Sequence, residues 1–175
     1  VVSKEIFAPS NSLYTTMASD NLGYWIEVTT GLRWRRMLNE RKIELDAPEK
    51  QRYKTFFKNM KSDDIVLHYL TADLVPLNWQ EEKKRSIVAV SKVVSDPQIM
   101  FGRIVATCSG TTHLPKPIPL KALKNIVRKS QELKKLLRVS MRRYLTNISE
   151  SDFKSIVEIL PQNRRAIKKF MRSKA

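Results

Sequence analysis

Short runs of β-forming residues, each too brief for a buried helix and each closed by turn formers, constrain this chain most. Tyr24 to Thr30 alternates, with Tyr24, Ile26 and Val28 on one face and Trp25 and Glu27 on the other. Ile65 to Leu70 follows the turn Ser62-Asp63-Asp64 and reads as a buried strand, with His68 as a satisfied core histidine. Ser86 to Val94 is a third run, ended by Ser95-Asp96-Pro97, and Ile99 to Ser109 is a fourth that enters a Gly-Thr-Thr loop. Pro115, Pro117 and Pro119 then force an extended approach to the next element. Between the runs the spacing turns helical. Leu32 to Asn39 follows a bend at Gly31, and Glu49 to Met60 follows Pro48 with Tyr53, Phe56, Phe57 and Met60 as its apolar stripe. Further helices are predicted from Leu120 to Leu137 and from Asp152 to Leu160, the latter behind a cap at Ser149. Strands and short helices without regular alternation predict an α+β fold, a small mixed β-barrel of about five strands with flanking short helices.

The organisation that follows is a Ser-, Thr- and Asn-rich extension over residues 1–22, a domain over 23–160, and a basic tail or linker, helical or not, over 161–175. Pro161 reads as the end of the packed region. The chain begins at Val1 and is expected to be a piece of something longer, a part of a multidomain protein. Its 42% hydrophobic content suffices for a core, and no apolar run is long enough to cross a membrane, so no membrane partner is expected. One cysteine and two histidines exclude a disulfide framework and the usual structural zinc site, and fit a reducing, cytoplasmic setting. No metal and no cofactor is expected.

Charge is distributed unevenly. From Lys116 onward 17 Lys and Arg face four acids, a net of +13, which leaves +3 of the total +16 for everything before. Such a field attracts a polyanion and makes its binding salt-dependent; a solvated helix face is the blander account. There is no paired-carboxylate, Cys/His or Ser/His constellation in the sequence, and no glycine-rich phosphate loop among four glycines, so an enzyme is not expected.

Several pieces occur together in order: Tyr24-Trp25-Ile26, Trp34 on the first helix, Lys61-Ser62-Asp63-Asp64 before Ile65 to Tyr69, and Ile87 to Val94 followed by Asp96-Pro97. Pro117-Ile118-Pro119-Leu120 and Ile148 to Phe153 follow. In that order and spacing the chain resembles the EVE domain, a member of the PUA-like superfamily related to the YTH domains that read methylated adenine. The resemblance implies a PUA-like fold and a nucleic-acid-binding module, for DNA or RNA, that flips a modified base into a pocket. It further implies a targeting role in a larger protein such as a modification-dependent restriction enzyme of the McrB type. A general RNA-binding domain without modified-base selectivity, or a protein-interaction module, is the alternative.

The candidate base pocket comprises Trp25, Trp34, Leu45, Asp46 and Trp79. Leu45 and Asp46 belong to it through the resemblance: they stand where relatives carry a caging aromatic, and the stretch Lys42 to Asp46 has none. Trp79 sits in a polar loop beside Glu81, Glu82 and Lys83, as a stacking platform or a loop anchor. Trp34 has the spacing of a residue that packs the first helix on the sheet, and Trp25 lies on the second face of its strand. Arg33, Arg35 and Arg36 around that helix, with Lys134, Lys135, Arg138, Arg142 and Arg143, are candidates to hold backbone phosphates.

Overall fold

The computed structural model describes residues 22–71, 85–127, 129–131, 134 and 144–173. Seven strands form one mixed sheet: β1 (Tyr24–Thr29), β2 (Ile43–Pro48), β3 (Ile65–Leu70), β4 (Ser86–Val93), β5 (Gln98–Met100), β6 (Arg103–Pro119) and β7 (Leu145–Ile148). Their order is β2-β6-β4-β3-β1-β7, with β5 paired to β6, and the sheet curls into a half-barrel. Among the described residues only β1 and β3 run parallel, and the other pairings are antiparallel. The α+β expectation holds, with more strands than expected.

The parallel pair requires a crossover, which α1 (Gly31–Asn39), β2 and α2 (Gln51–Phe57) supply. β1 is buried on both faces, as a strand between two packed layers must be. Tyr24, Ile26 and Val28 meet Leu67, Val90 and Ile118 in one core, covered by α3 (Leu120–Val127), α4 (Glu150–Glu158) and α5 (Pro161–Arg172). Trp25 joins Trp34, Leu45, Phe57, Met60 and Val66 in a second core on the opposite face, under α1 and α2.

Three departures from the sequence reading have local causes. The stretch Ile43 to Pro48 is a strand, with Ile43, Leu45 and Ala47 inward and Glu44 and Asp46 outward in strict alternation. The run Ile99 to Ser109 is broken: Phe101 and Gly102 take positive φ (49° and 69°) and form a two-residue hairpin turn between β5 and β6. Residues 109–119 are then a strand instead of a loop and an approach. Ile87 faces Ile118 while Ala89 faces His113, so Leu114 to Pro117 bulge against Val88, and Pro115 and Pro117 sit in that bulge, where no ladder donor is required.

Pro161 does not end the packed region. It opens α5 at a first-turn position, where its missing N–H costs nothing. Ile167 and Phe170 enter the first core, and the buried Asn163 grips the bulge: its Oδ1 accepts from the Lys116 N–H (3.0 Å) and its Nδ2 donates to the Lys116 carbonyl (2.8 Å). Of the two forms expected for the basic segment, the described part is a docked helix.

Candidate functional site

β1 and β3 end side by side at Thr29 and Leu70, and the Thr71 N–H donates to the Thr29 carbonyl at 3.0 Å. From there one chain turns into α1 through Thr30, whose hydroxyl caps the helix by accepting from the Arg33 N–H (3.2 Å), and the other leaves toward residues 72–84. Outside the carboxyl ends of parallel strands is where open sheets bind ligands, and a helix N-terminus there favours anions. The first turn of α1 carries no acid. At this mouth the hydroxyls of Thr29 and Thr71 are buried, 3% and 8% exposed as residues, and make no hydrogen bond among the described residues; nor does the Tyr69 hydroxyl. Buried hydroxyls without partners are costly, and a ligand's polar edge is one thing that satisfies them.

Below the mouth runs a chain of polar contacts that crosses the sheet. Thr111 Oγ1 meets Ser91 Oγ (2.8 Å), Ser91 Oγ meets His68 Nε2 (2.8 Å), and His68 Nδ1 meets Glu27 Oε2 (2.6 Å). The Tyr144 hydroxyl donates to Glu27 Oε1 (3.1 Å) and accepts from the Asp46 N–H (2.8 Å) and from Arg33 Nη2 (3.0 Å). Arg33 also donates to the Glu44 carbonyl (2.9 Å), which ties α1 to β2. Burial pushes the Tyr144 phenol well above its ordinary value, with Glu27 adding to the rise against Arg33. For Arg33 burial works downward but loses to Tyr144, Glu27 and Asp46, so its guanidinium is held more firmly protonated. The Trp34 indole lies on His68, with ring centroids 4.8 Å apart.

Ser91, His68 and Glu27 stand in the order of a hydrolytic triad, a constellation the sequence conceals because its members come from three strands. All three are fully buried, and the contacts tie β1, β3 and β4 together through side chains. Cys108 is buried and its thiol is pushed up by that burial, away from nucleophilic use. Among the described residues no group of three His, Cys, Asp or Glu could hold a metal, and no helix is long and apolar enough to cross a membrane.

The predicted site residues divide as follows. Trp34 is 1% exposed and Leu45 fully buried, both in the second core. Trp25 is 3% exposed, and its Nε1 donates to Asp64 Oδ2 at 2.8 Å. Asp46 is half-buried and accepts both Nε (2.5 Å) and Nη2 (2.9 Å) of Arg103. Arg35 and Arg36 are exposed on α1 beside Leu32 and Asn39, lining a concavity with Thr30 and Arg33. Lys134 is half-buried. Trp79, Lys135, Arg138, Arg142 and Arg143 lie outside the described residues. The fold thus brings Arg33, Trp34, Leu45 and Asp46 to one corner and places Trp25 in the same core. Thr29, Thr71, Tyr144 and Arg103 are the contributions sequence reasoning missed. The exposed row Arg164, Arg165, Lys168, Lys169 and Arg172 on α5 was legible only as net charge.

Residues 23–159 match the EVE domain. No curated protein matches the chain in sequence. Among solved structures, Rpa0253 from Rhodopseudomonas palustris superposes with a TM-score of 0.56 at 14% identity, over 79% of this chain and 92% of that one. The DUF55 domain of human thymocyte nuclear protein 1 gives 0.54 at 12% identity, over 76% and 95%. Human THYN1 protein, solved in complex with DNA containing 5-methylcytosine, gives 0.52 at 10% identity, over 87% and 99%.

Proposed function

The chain belongs to the EVE domain family, and from that premise we propose that it is a non-catalytic nucleic-acid-binding module that draws a modified base out of its stack and into the mouth at the ends of β1 and β3. The observation that carries this reading is the pair of buried hydroxyls, Thr29 and Thr71, without a partner among the described residues, beside the N-terminus of α1, a helix that exposes Arg35 and, in its last turn, Arg36. The arginines hold backbone phosphates, which position without specifying. The hydroxyls meet the base edge, and Trp79 supplies the stacking wall that Leu45 cannot, since Leu45 is closed into the core. Asp46, locked by Arg103 and bonded through its N–H to Tyr144, holds the neighbouring edge of the mouth. The structure of human THYN1 protein with 5-methylcytosine DNA supports a methylated base as the ligand. The role is targeting: the module marks a modified site for a larger, cytoplasmic protein such as a modification-dependent restriction enzyme, and chemistry belongs to another domain. The burial of Ser91 supports the non-catalytic assignment.

The test is fluorescence anisotropy on matched oligonucleotides, DNA and RNA, unmodified or carrying 5-methylcytosine or N6-methyladenine, at several salt concentrations. One modified oligonucleotide binds most tightly, and Trp79→Ala removes that preference. Replacing Arg35 and Arg36 together by Gln weakens all oligonucleotides alike and lowers the slope of log affinity against log salt by about 2 for duplex DNA. Equal affinity for every oligonucleotide sinks base reading and leaves a general RNA- or DNA-holding module. Absence of binding at low salt sinks the nucleic-acid reading altogether.

A further inference from the structure

The hairpin of β5 and β6 carries its most apolar residues where nothing covers them. Ile99, Met100 and Phe101 are all exposed, and Phe101, at the tip, is 99% so. A two-residue turn with positive φ at both centres is the habitat of Asn-Gly, Asp-Gly or Gly-Gly. Phenylalanine at the first centre costs backbone energy, because its Cβ disfavours that region, and gains no burial in return. Two penalties at one residue, with no compensation inside the fold, point to a contact outside it.

The tip is also stiffly mounted. Gly102 accepts from the Glu49 N–H at 2.8 Å, and Arg103, the first residue after the turn, clamps Asp46 through two hydrogen bonds. Asp46 is in turn bonded through its backbone to Tyr144, which holds Arg33. The apolar tip is therefore braced against the same strand, β2, that borders the mouth. Its surroundings are cationic on balance: Arg103, about half exposed, is paired with Asp46 and Lys54 with Glu49 (2.8 Å), while Lys50 before α2 and Arg52 on that helix are exposed and form no salt bridge with a described acid. An aromatic point on a positive mount fits a partner with anionic edges and a stacked apolar interior. Double-stranded nucleic acid has both.

We propose that Phe101 is a wedge that enters a duplex between adjacent base pairs and holds open the step from which the base is drawn. The proposal rests on the reading of the chain as a nucleic-acid-binding module. It assigns the hairpin the unstacking work and the mouth the recognition. A base already out of a duplex needs no wedge, so Phe101 matters for duplexes and not for single strands.

The experiment compares wild type with Phe101→Asn and Phe101→Trp on two probes, a duplex with 2-aminopurine beside a methylated base and the corresponding single strand. Phe101→Asn restores the residue the turn prefers and so keeps the hairpin and the fold, verified by thermal melting. The expected result is a rise in 2-aminopurine fluorescence when wild type binds the duplex. With Phe101→Asn that rise is lost and duplex affinity falls roughly tenfold, while single-strand affinity stays within about twofold; Phe101→Trp behaves as wild type. The proposal is overturned if Phe101→Asn binds and unstacks the duplex normally, or weakens both probes equally. It is also overturned if wild type binds the single strand but not the duplex, and in that case the base-binding reading survives. Wild type that binds neither probe removes both readings and leaves the tip to a protein partner.

Discussion

Asp64 gathers three donors from two separate stretches of chain. Its carboxylate accepts from the Gly23 N–H (2.7 Å), the Lys61 N–H (2.9 Å) and the Trp25 indole (2.8 Å), and so joins the start of β1 to the turn before β3. Removing it strands three donors, two of them on the main chain; Asp64→Ala is expected to cost roughly 3 kcal/mol or more in urea denaturation. Gly23 is needed for the same contact, since a Cβ there would come within 2.5 Å of the Asp64 carboxylate. Gly23→Ala is accordingly expected to lower the melting temperature although its backbone needs no special φ. A pH effect belongs to this scale too. Burial raises the Tyr69 phenol to about 12, against an ordinary value near 10. Because the folded pKa is the higher, the stability it contributes is whole below pH 10 and is lost as pH climbs through about 12. Melting temperature therefore falls above pH 10, and less steeply in Tyr69→Phe. The same variant is expected to be neutral or stabilising at pH 7, because the hydroxyl it removes has no partner among the described residues.

At the scale of elements, strands were legible where apolar residues set the pattern and obscure where charge did. β1, β3 and β4 declare themselves by alternation or by unbroken apolar runs, and the structure has them within a residue of expectation. β2 carries the same period-two signal in Ile43, Leu45 and Ala47, but with Glu44 and Asp46 between them the stretch is assigned no element from sequence. β7 is four residues long, too short to show any period. The β5–β6 turn was invisible because phenylalanine is not a turn residue, the anomaly on which the wedge rests. The exposed arginines of α1 followed from helical spacing. Thr29 and Thr71 could not be found that way, for whether a hydroxyl has a partner is a property of the assembled strands. Asn163 is another residue whose meaning is wholly tertiary, standing in for a missing strand against Lys116. Asn163→Ala leaves both Lys116 backbone groups unpaired in the bulge and is expected to cost about 2 kcal/mol in denaturant unfolding. Arg165→Gln, exposed on the same helix, is expected to change stability by less than about 0.5 kcal/mol.

The whole molecule presents positive charge on two opposed sides of one sheet. Arg35 and Arg36 stand over the second core, and the α5 row stands over the first. The matched family region ends at residue 159, yet Ile167 and Phe170 belong to the first core, so a chain cut after Leu160 loses a wall and not an appendage. That truncation is expected to give a protein with low or absent cooperative melting, measured against the full chain by circular dichroism.

The position of β1 also governs the order in which the molecule can be made. It lies between β3 and β7, and the Asn147 side chain reaches back across 123 residues to the Tyr24 carbonyl. On a chain emerging from the ribosome, β1 must therefore wait with one edge bare until β7 has been synthesised. Such an open apolar edge is a template for strangers. Closure by contacts so distant in sequence is intrinsically slow. The nascent chain is thus most exposed to misassembly in the interval between the synthesis of its third strand and that of its seventh.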